Sequence, residues 1–168
     1  MAFPSIALVA LLCLPSGWAN SGQSSEPQEE TSRFDHDHGL LTGVLDRIVH
    51  GDEVDYRMLS EAPGDLRDYL GQLEAVRADE YRAWSKDQKY AFWINAYNAY
   101  TLDLVQRSYP VKSIKDLGGL IRSVWKKSFI PLGHLAGKPG KELSLDHLEH
   151  SILRPEFEDA RVLSLIHI

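Results

Sequence analysis

The chain has 168 residues, 43% of them hydrophobic, and a net charge of −6. That size and composition suit one domain with a core of its own. The acidic balance and the absence of any basic block exclude the electrostatic footprint of a nucleic-acid binder, and composition singles out no other partner. The single cysteine, Cys13, lies in the first apolar segment. Once that segment is removed, the mature chain has no thiol, no disulfide and no cysteine nucleophile.

Residues 1–19 read as a secretory signal. An apolar run over residues 6–14 is too short to span a bilayer, and Pro15, Ser16 and Gly17-Trp18-Ala19 follow it. Those small residues suit a leader peptidase cutting near Ala19. No Lys or Arg precedes the run, so only the amino terminus supplies positive charge. A lipidated Cys13 would want a small residue before it, and Leu12 stands there instead. The remaining alternative is an apolar N-terminal strand. The expectation is an exported bacterial protein, periplasmic or secreted, with no integral membrane span in the mature chain. Residues 20–38 form the expected flexible spacer, polar over 20–32 and ending in the acid/imidazole run Asp35-His36-Asp37-His38.

The expected domain occupies residues 39–162. Leu40, Leu41, Val44, Leu45 and Ile48 make an amphipathic helical stripe that stops at Gly51. Val54-Asp55-Tyr56 reads as a short extended piece. A second helix follows Pro63, with Leu66, Tyr69, Leu70 and Leu73 on one side. Ser85 and Gln88 have capping-box spacing, which starts a third, central helix near Lys86. On it Tyr90, Trp93, Tyr97, Tyr100 and Leu104 share one side, and Ala91, Asn95, Asn98, Ala99 and Leu102 share the other. A helix apolar on both sides is usually buried between layers. Tyr109-Pro110 ends it, and Ser113 heads a brief turn that Gly118-Gly119 breaks. Residues 125–132 have strand character and return through residues 133–140 to residues 141–143 as a hairpin. Ser144 caps a last helix, residues 145–153, closed by Arg154-Pro155. The expected class is α+β, mainly helical, with a central buried helix and a small antiparallel sheet.

Residues 163–168, Leu-Ser-Leu-Ile-His-Ile, are what the mosaic end of a sequencing-library transposon encodes in one frame. We therefore expect the natural sequence to depart near Val162, leaving the fold incomplete at its C-terminus. The alternative is a native C-terminal strand. On the truncated reading, the central helix and residues 128–132 should be partly uncovered, and the protein should aggregate.

The run from Lys89 to Ala99, Lys-Tyr-Ala-Phe-Trp-Ile-Asn-Ala-Tyr-Asn-Ala, resembles the signature of the family called "domain of unknown function 547". Val54-Asp55-Tyr56, Tyr109-Pro110 with Ser113-Ile114, and Leu143-Ser144-Leu145 through Glu149-His150 to Leu153-Arg154 resemble its other blocks in order. In that family the Arg-Val step, here Arg161-Val162, leads into a segment rich in His, Ala, Asn and Cys ending near Gly-Cys-Pro. This chain departs at that point, so the resemblance transfers no thiol to it and supplies no known reaction.

Four residues carry the candidate chemistry. His150 is a possible general acid or base, with Glu149 orienting another group; the plainer reading pairs Glu149 with Arg154 or Arg161 and packs His150 at an edge. Asn95 and Asn98 are amides in an apolar run, either aimed at a cleft to stabilise an oxyanion or bonded to backbone to fix helix register. His147 and His150 stand three apart without a third ligand at a recognised spacing, and the Asp35–His38 cluster suits weak adventitious binding, so no metal is assigned. No phosphate loop is present either, and no cofactor is expected.

Overall fold

Asp35 sets the start of the helical part. Its two carboxylate oxygens accept from the Asp37 and Gly39 amides, each at 2.9 Å. The first turn of α1 (Gly39–Ile48) thereby gains a partner for an otherwise orphaned donor. The computed structural model describes residues 33–51, 53–111, 117 and 123–157. The leader, residues 20–32, the Ser113 turn, Gly118-Gly119, Arg161 and the six-residue tail lie outside the described residues.

The spacer ends earlier than its composition predicts. Phe34 and His38 are both buried, and the Phe34 ring packs against Trp84 and Phe92 at 5.2 and 5.4 Å between centroids. Its amide donates to Glu80 Oε1 at 2.9 Å. Phe34 and His38, two buried residues among polar neighbours, hold this segment on the core, and average polarity conceals them.

Helix α1 buries Leu41, Val44 and Ile48, as its stripe requires. A two-stranded antiparallel ribbon follows, β1 (Val49–His50) against β2 (Glu53–Val54), with Val49 opposite Val54. Gly51 turns it at φ 64°, a conformation open to glycine at no steric cost. The extended reading of Val54-Asp55-Tyr56 stops at Asp55. Its side chain accepts from the Met58 amide at 2.8 Å and starts α2 (Tyr56–Glu61), because a short acid is a better N-cap than a strand residue. Helix α3 (Gly64–Ala75) buries the expected Leu66, Tyr69, Leu70 and Leu73. Helix α4 (Ala78–Ala83) buries no residue fully, so no apolar stripe announces it.

The central helix is α5 (Lys86–Gln106), and Ser85 with Gln88 closes the predicted capping box. Between Phe92 and Val105 it is buried on most sides, packing against α2, α3 and the last helix. Among its buried residues are Phe92, Trp93, Ala96, Ala99 and Leu102. The domain is therefore mainly helical around one buried helix, with a small antiparallel sheet.

The expected second hairpin shrinks to a bridge. Residues 124–126 form a 3-10 turn, and only Ile130 pairs with Leu143. Ile130 and Leu143 exchange both backbone bonds, at 3.0 and 2.7 Å. The next bonding pair would be Leu132 with Lys141, but the Leu132 carbonyl accepts from the Leu135 amide and the Lys141 amide donates to Lys138, so the ladder stops.

The last helix begins at α6 (Leu145–His147), where the Ser144 side chain accepts from the His147 amide. It widens into a π-helical turn (Leu148–Leu153) and continues as α7 (Arg154–Phe157). The expected stop at Arg154-Pro155 does not occur. A proline ring clashes with the carbonyl four residues back in a regular α-helix, and the wider turn just before Pro155 relieves that clash.

The large hydrophobics exposed among the described residues are Val49, Met58 and Tyr109. None lies on α5 or in residues 128–132, and Ile130 and Leu132 are fully buried. The uncovered apolar surface expected of a truncated fold is therefore not found there.

Candidate functional site

Leu145, Leu148, Ile152 and Leu153 turn inward from the last helix and fix its rotation on the core. That rotation leaves Glu149 and His150 at the margin, inside the π-helical turn. The Glu149 side chain is only 15% exposed. Arg154 donates to its Oε1 through Nε at 3.1 Å and also through Nη2. The plainer expectation of a Glu149–Arg154 pair is what the structure contains.

His150 stands differently. Its side chain is 52% exposed, with Nε2 3.8 Å from Glu149 Oε1 and 3.9 Å from Asp146 Oδ1. These are electrostatic neighbours rather than hydrogen bonds, as expected of adjacent helical residues whose side chains diverge by about 100°. One carboxylate is thus held by an arginine, while an imidazole beside it keeps access to water.

Glu149 is also felt across the helix interface. Burial, and then the Glu149 charge, push the Tyr97 hydroxyl well above the ordinary tyrosine range. Closer to the start of α5, Tyr90 stacks at 4.9 Å on Phe157. Tyr90 and Tyr97 lie seven positions apart on α5, and Phe157 and Glu149 eight apart on the last helix, so the two helices run antiparallel. The sequence places Tyr97 on the aromatic face of α5 and gives no sign of the acid near it.

The asparagines are placed elsewhere. Asn95 and Asn98 are half-buried. Around a helix at 100° per residue, Asn98 lies about 100° and Asn95 about 160° from Tyr97. Glu149 and His150 are therefore together, Asn98 is at the edge of that side, and Asn95 is nearly opposite. No side-chain hydrogen bond of either asparagine occurs among the described residues, so the backbone contacts expected to fix register are not found there. Gln106 continues the same side, and its Oε1 is buried without a hydrogen bond among the described residues.

His147 and His134 have structural partners. His147 lies beside Lys138, with Nε2 3.2 Å from Nζ. Burial and that cation lower its pKa below 6.5. His134 Nε2 meets the Val76 carbonyl at 2.9 Å. Among the described residues no group of three His, Cys, Asp or Glu side chains could hold a metal ion.

The model of the family described as "Protein of unknown function, DUF547" matches residues 81–166. The chain belongs to the DUF547 family. The DUF547 match runs from Tyr81 in α4 to residue 166 and takes in Asn95, Asn98, Glu149 and His150. Val54-Asp55-Tyr56 precedes the matched residues. No curated protein and no solved structure matches the chain. The DUF547 model carries no stated activity, and chemistry has to be argued from the side chains themselves.

Proposed function

We propose that this domain carries an acid–base site of hydrolase or transferase type on its last helix, and that it works outside the cytoplasm. The observation that carries the reading is that Glu149 and His150 occupy a π-helical turn. Such turns are rare in proteins, give up regular helical hydrogen bonds, and concentrate at functional sites. In this reading His150 moves the proton, because its imidazole is half exposed beside two carboxylates. Glu149 is a positioning residue that Arg154 fixes in place. Asn98, at the edge of that side, would offer an amide donor to a polarised oxygen, whereas Asn95, nearly opposite, would not reach it. The DUF547 resemblance implies a thiol in the family segment after the Arg-Val step, and this sequence has no cysteine besides Cys13 to fill that role. The apolar run over residues 6–14, followed by small residues, supports export.

A panel of ester, thioester and amide substrates tests the site. A general acid–base role predicts that His150→Ala lowers kcat/KM by about 10²–10⁴-fold with an unchanged circular dichroism spectrum. Turnover equal to that of the parent protein, or no turnover on any substrate class, counts against catalysis.

One observation favours a second reading, a non-catalytic envelope binding module. Asn95 and Asn98 are half-buried amides with no side-chain hydrogen bond among the described residues, which suits recognition of a polar ligand. In that case replacing both asparagines with alanine weakens binding, while His150→Ala leaves it unchanged.

A further inference from the structure

Outside the family match, residues 34–38 build an arrangement that a passive spacer would not need. His38 is a non-glycine residue in the left-handed region, at φ 53° and ψ 38°. Such a backbone costs about 1 kcal/mol or more unless its surroundings hold it. The surroundings do hold it. The imidazole is buried, Nδ1 lies 2.7 Å from the Tyr69 hydroxyl, and the ring meets Phe34 edge-on at 5.3 Å. Phe34 in turn sits among His36, Trp84 and Phe92. Nε2 of His38 and Nδ1 of His36 are buried with no hydrogen-bond partner among the described residues.

A neutral His38 fits this site in one tautomer: Nδ1–H donates to the Tyr69 hydroxyl, and Nε2 carries no proton. A protonated ring does not fit. Both nitrogens would then be donors; Tyr69 could accept from one, and the other would be a buried donor with no acceptor among the described residues. We propose that residues 34–38 are a proton-sensitive strap, clamped on the aromatic core by neutral His38 and released when His38 takes up a proton.

The neighbouring charges set the balance. Asp35, His36 and Asp37 flank His38 within its own segment. Tyr69 faces it from α3, and Glu80 reaches the strap from α4. From the approach to α5 come only the uncharged rings of Trp84 and Phe92. Burial is the largest influence and lowers the His38 pKa from its ordinary 6.5; Asp35 and Asp37 pull it up, and His36 pushes it down. The clamped state therefore binds fewer protons than the released one. Clamping is unaffected above about pH 6.5 and weakens up to about tenfold per pH unit below it, until the depressed value is reached. Release would uncover the rings of Trp84 and Phe92.

Amide hydrogen exchange on the full chain tests this. Protection of the Phe34, His38 and Gly39 amides, measured relative to Leu102 and Leu104 in α5, should fall below pH 6.5 by up to about tenfold per pH unit. In His38→Asn the fall should vanish. Asparagine tolerates the left-handed backbone and can bond Tyr69, but it has no charge to gain. The same fall in that variant, or flat protection in the parent chain, overturns the proposal. Should the variant not fold, NMR titration of the parent's His38 ring decides. Ring protonation in step with loss of protection supports the strap, and a ring that titrates under unchanged protection refutes it.

Discussion

Among the described glycines, Gly133 has the least room for a side chain. A Cβ built there would lie 2.0 Å from the Lys141 carbonyl oxygen and 2.5 Å from that of Lys138. Both are backbone atoms of the turn that returns the chain to the Ile130–Leu143 bridge, so neither can swing aside. Gly133→Ala should destabilise the domain by about 2–4 kcal/mol, the range of severe steric and backbone lesions, read from the urea midpoint. Near-parental stability would mean the turn can open without cost. The sequence marked this region as a turn from its glycines, yet nothing in Gly133…Gly137…Gly140 says which one faces a carbonyl. Gly137 and Gly140 are needed for a different reason, their positive φ of 69° and 70°. At the candidate site the same limit applies. The sequence nominates Glu149 and His150, but only packing shows that one is clamped by Arg154 and the other left open.

Among the elements, α5 was the most legible and α4 the least. The start of α5 is written locally: Ser85 accepts from the Gln88 amide and Gln88 reaches back to the Ser85 amide. Ser85→Ala removes one of these reciprocal bonds. A loss of about 1 kcal/mol is expected by thermal or urea unfolding, with exchange quickening first at the Gln88 and Lys89 amides. An unchanged first turn would show that tertiary packing alone fixes this end. The last helix was foreseen from the Ser144 cap but ended too soon, because Pro155 reads as a stop in any regular helix. Its continuation depends on a widened turn, which has no signature in hydrophobic spacing. Helix α4 escaped for the opposite reason: without a fully buried residue it has no apolar period to detect.

At the scale of the molecule, three buried phenols link the core to pH. Burial pushes Tyr69, Tyr97 and Tyr100 above the ordinary value of 10, with further help from Asp35, Glu149 and Glu74 respectively. In each case the neutral form is favoured in the folded state, so the corresponding stability is complete below pH 10 and is lost as pH rises above it. The melting temperature should therefore fall beyond about pH 10, with Tyr69, Tyr97 and Tyr100 ionising, by residue-resolved NMR, only together with loss of circular dichroism. Ionisation of Tyr69, Tyr97 or Tyr100 in a fully folded protein would contradict these burials; exposed Tyr109 carries no such constraint. The sequence by itself determined the helical class, the capping box, the stripes of α1 and α3, the buried central helix and the family signature. These are local or periodic properties, set by residues a few positions apart. Tertiary structure decided the rest. It set Glu149 near Tyr97, the separation of Asn95 from that acid, the burial of His38 against Tyr69, and the reduction of a hairpin to one bridge. Each depends on which groups distant in sequence meet in space, and side-chain charge, burial and hydrogen bonding acquire their values only there.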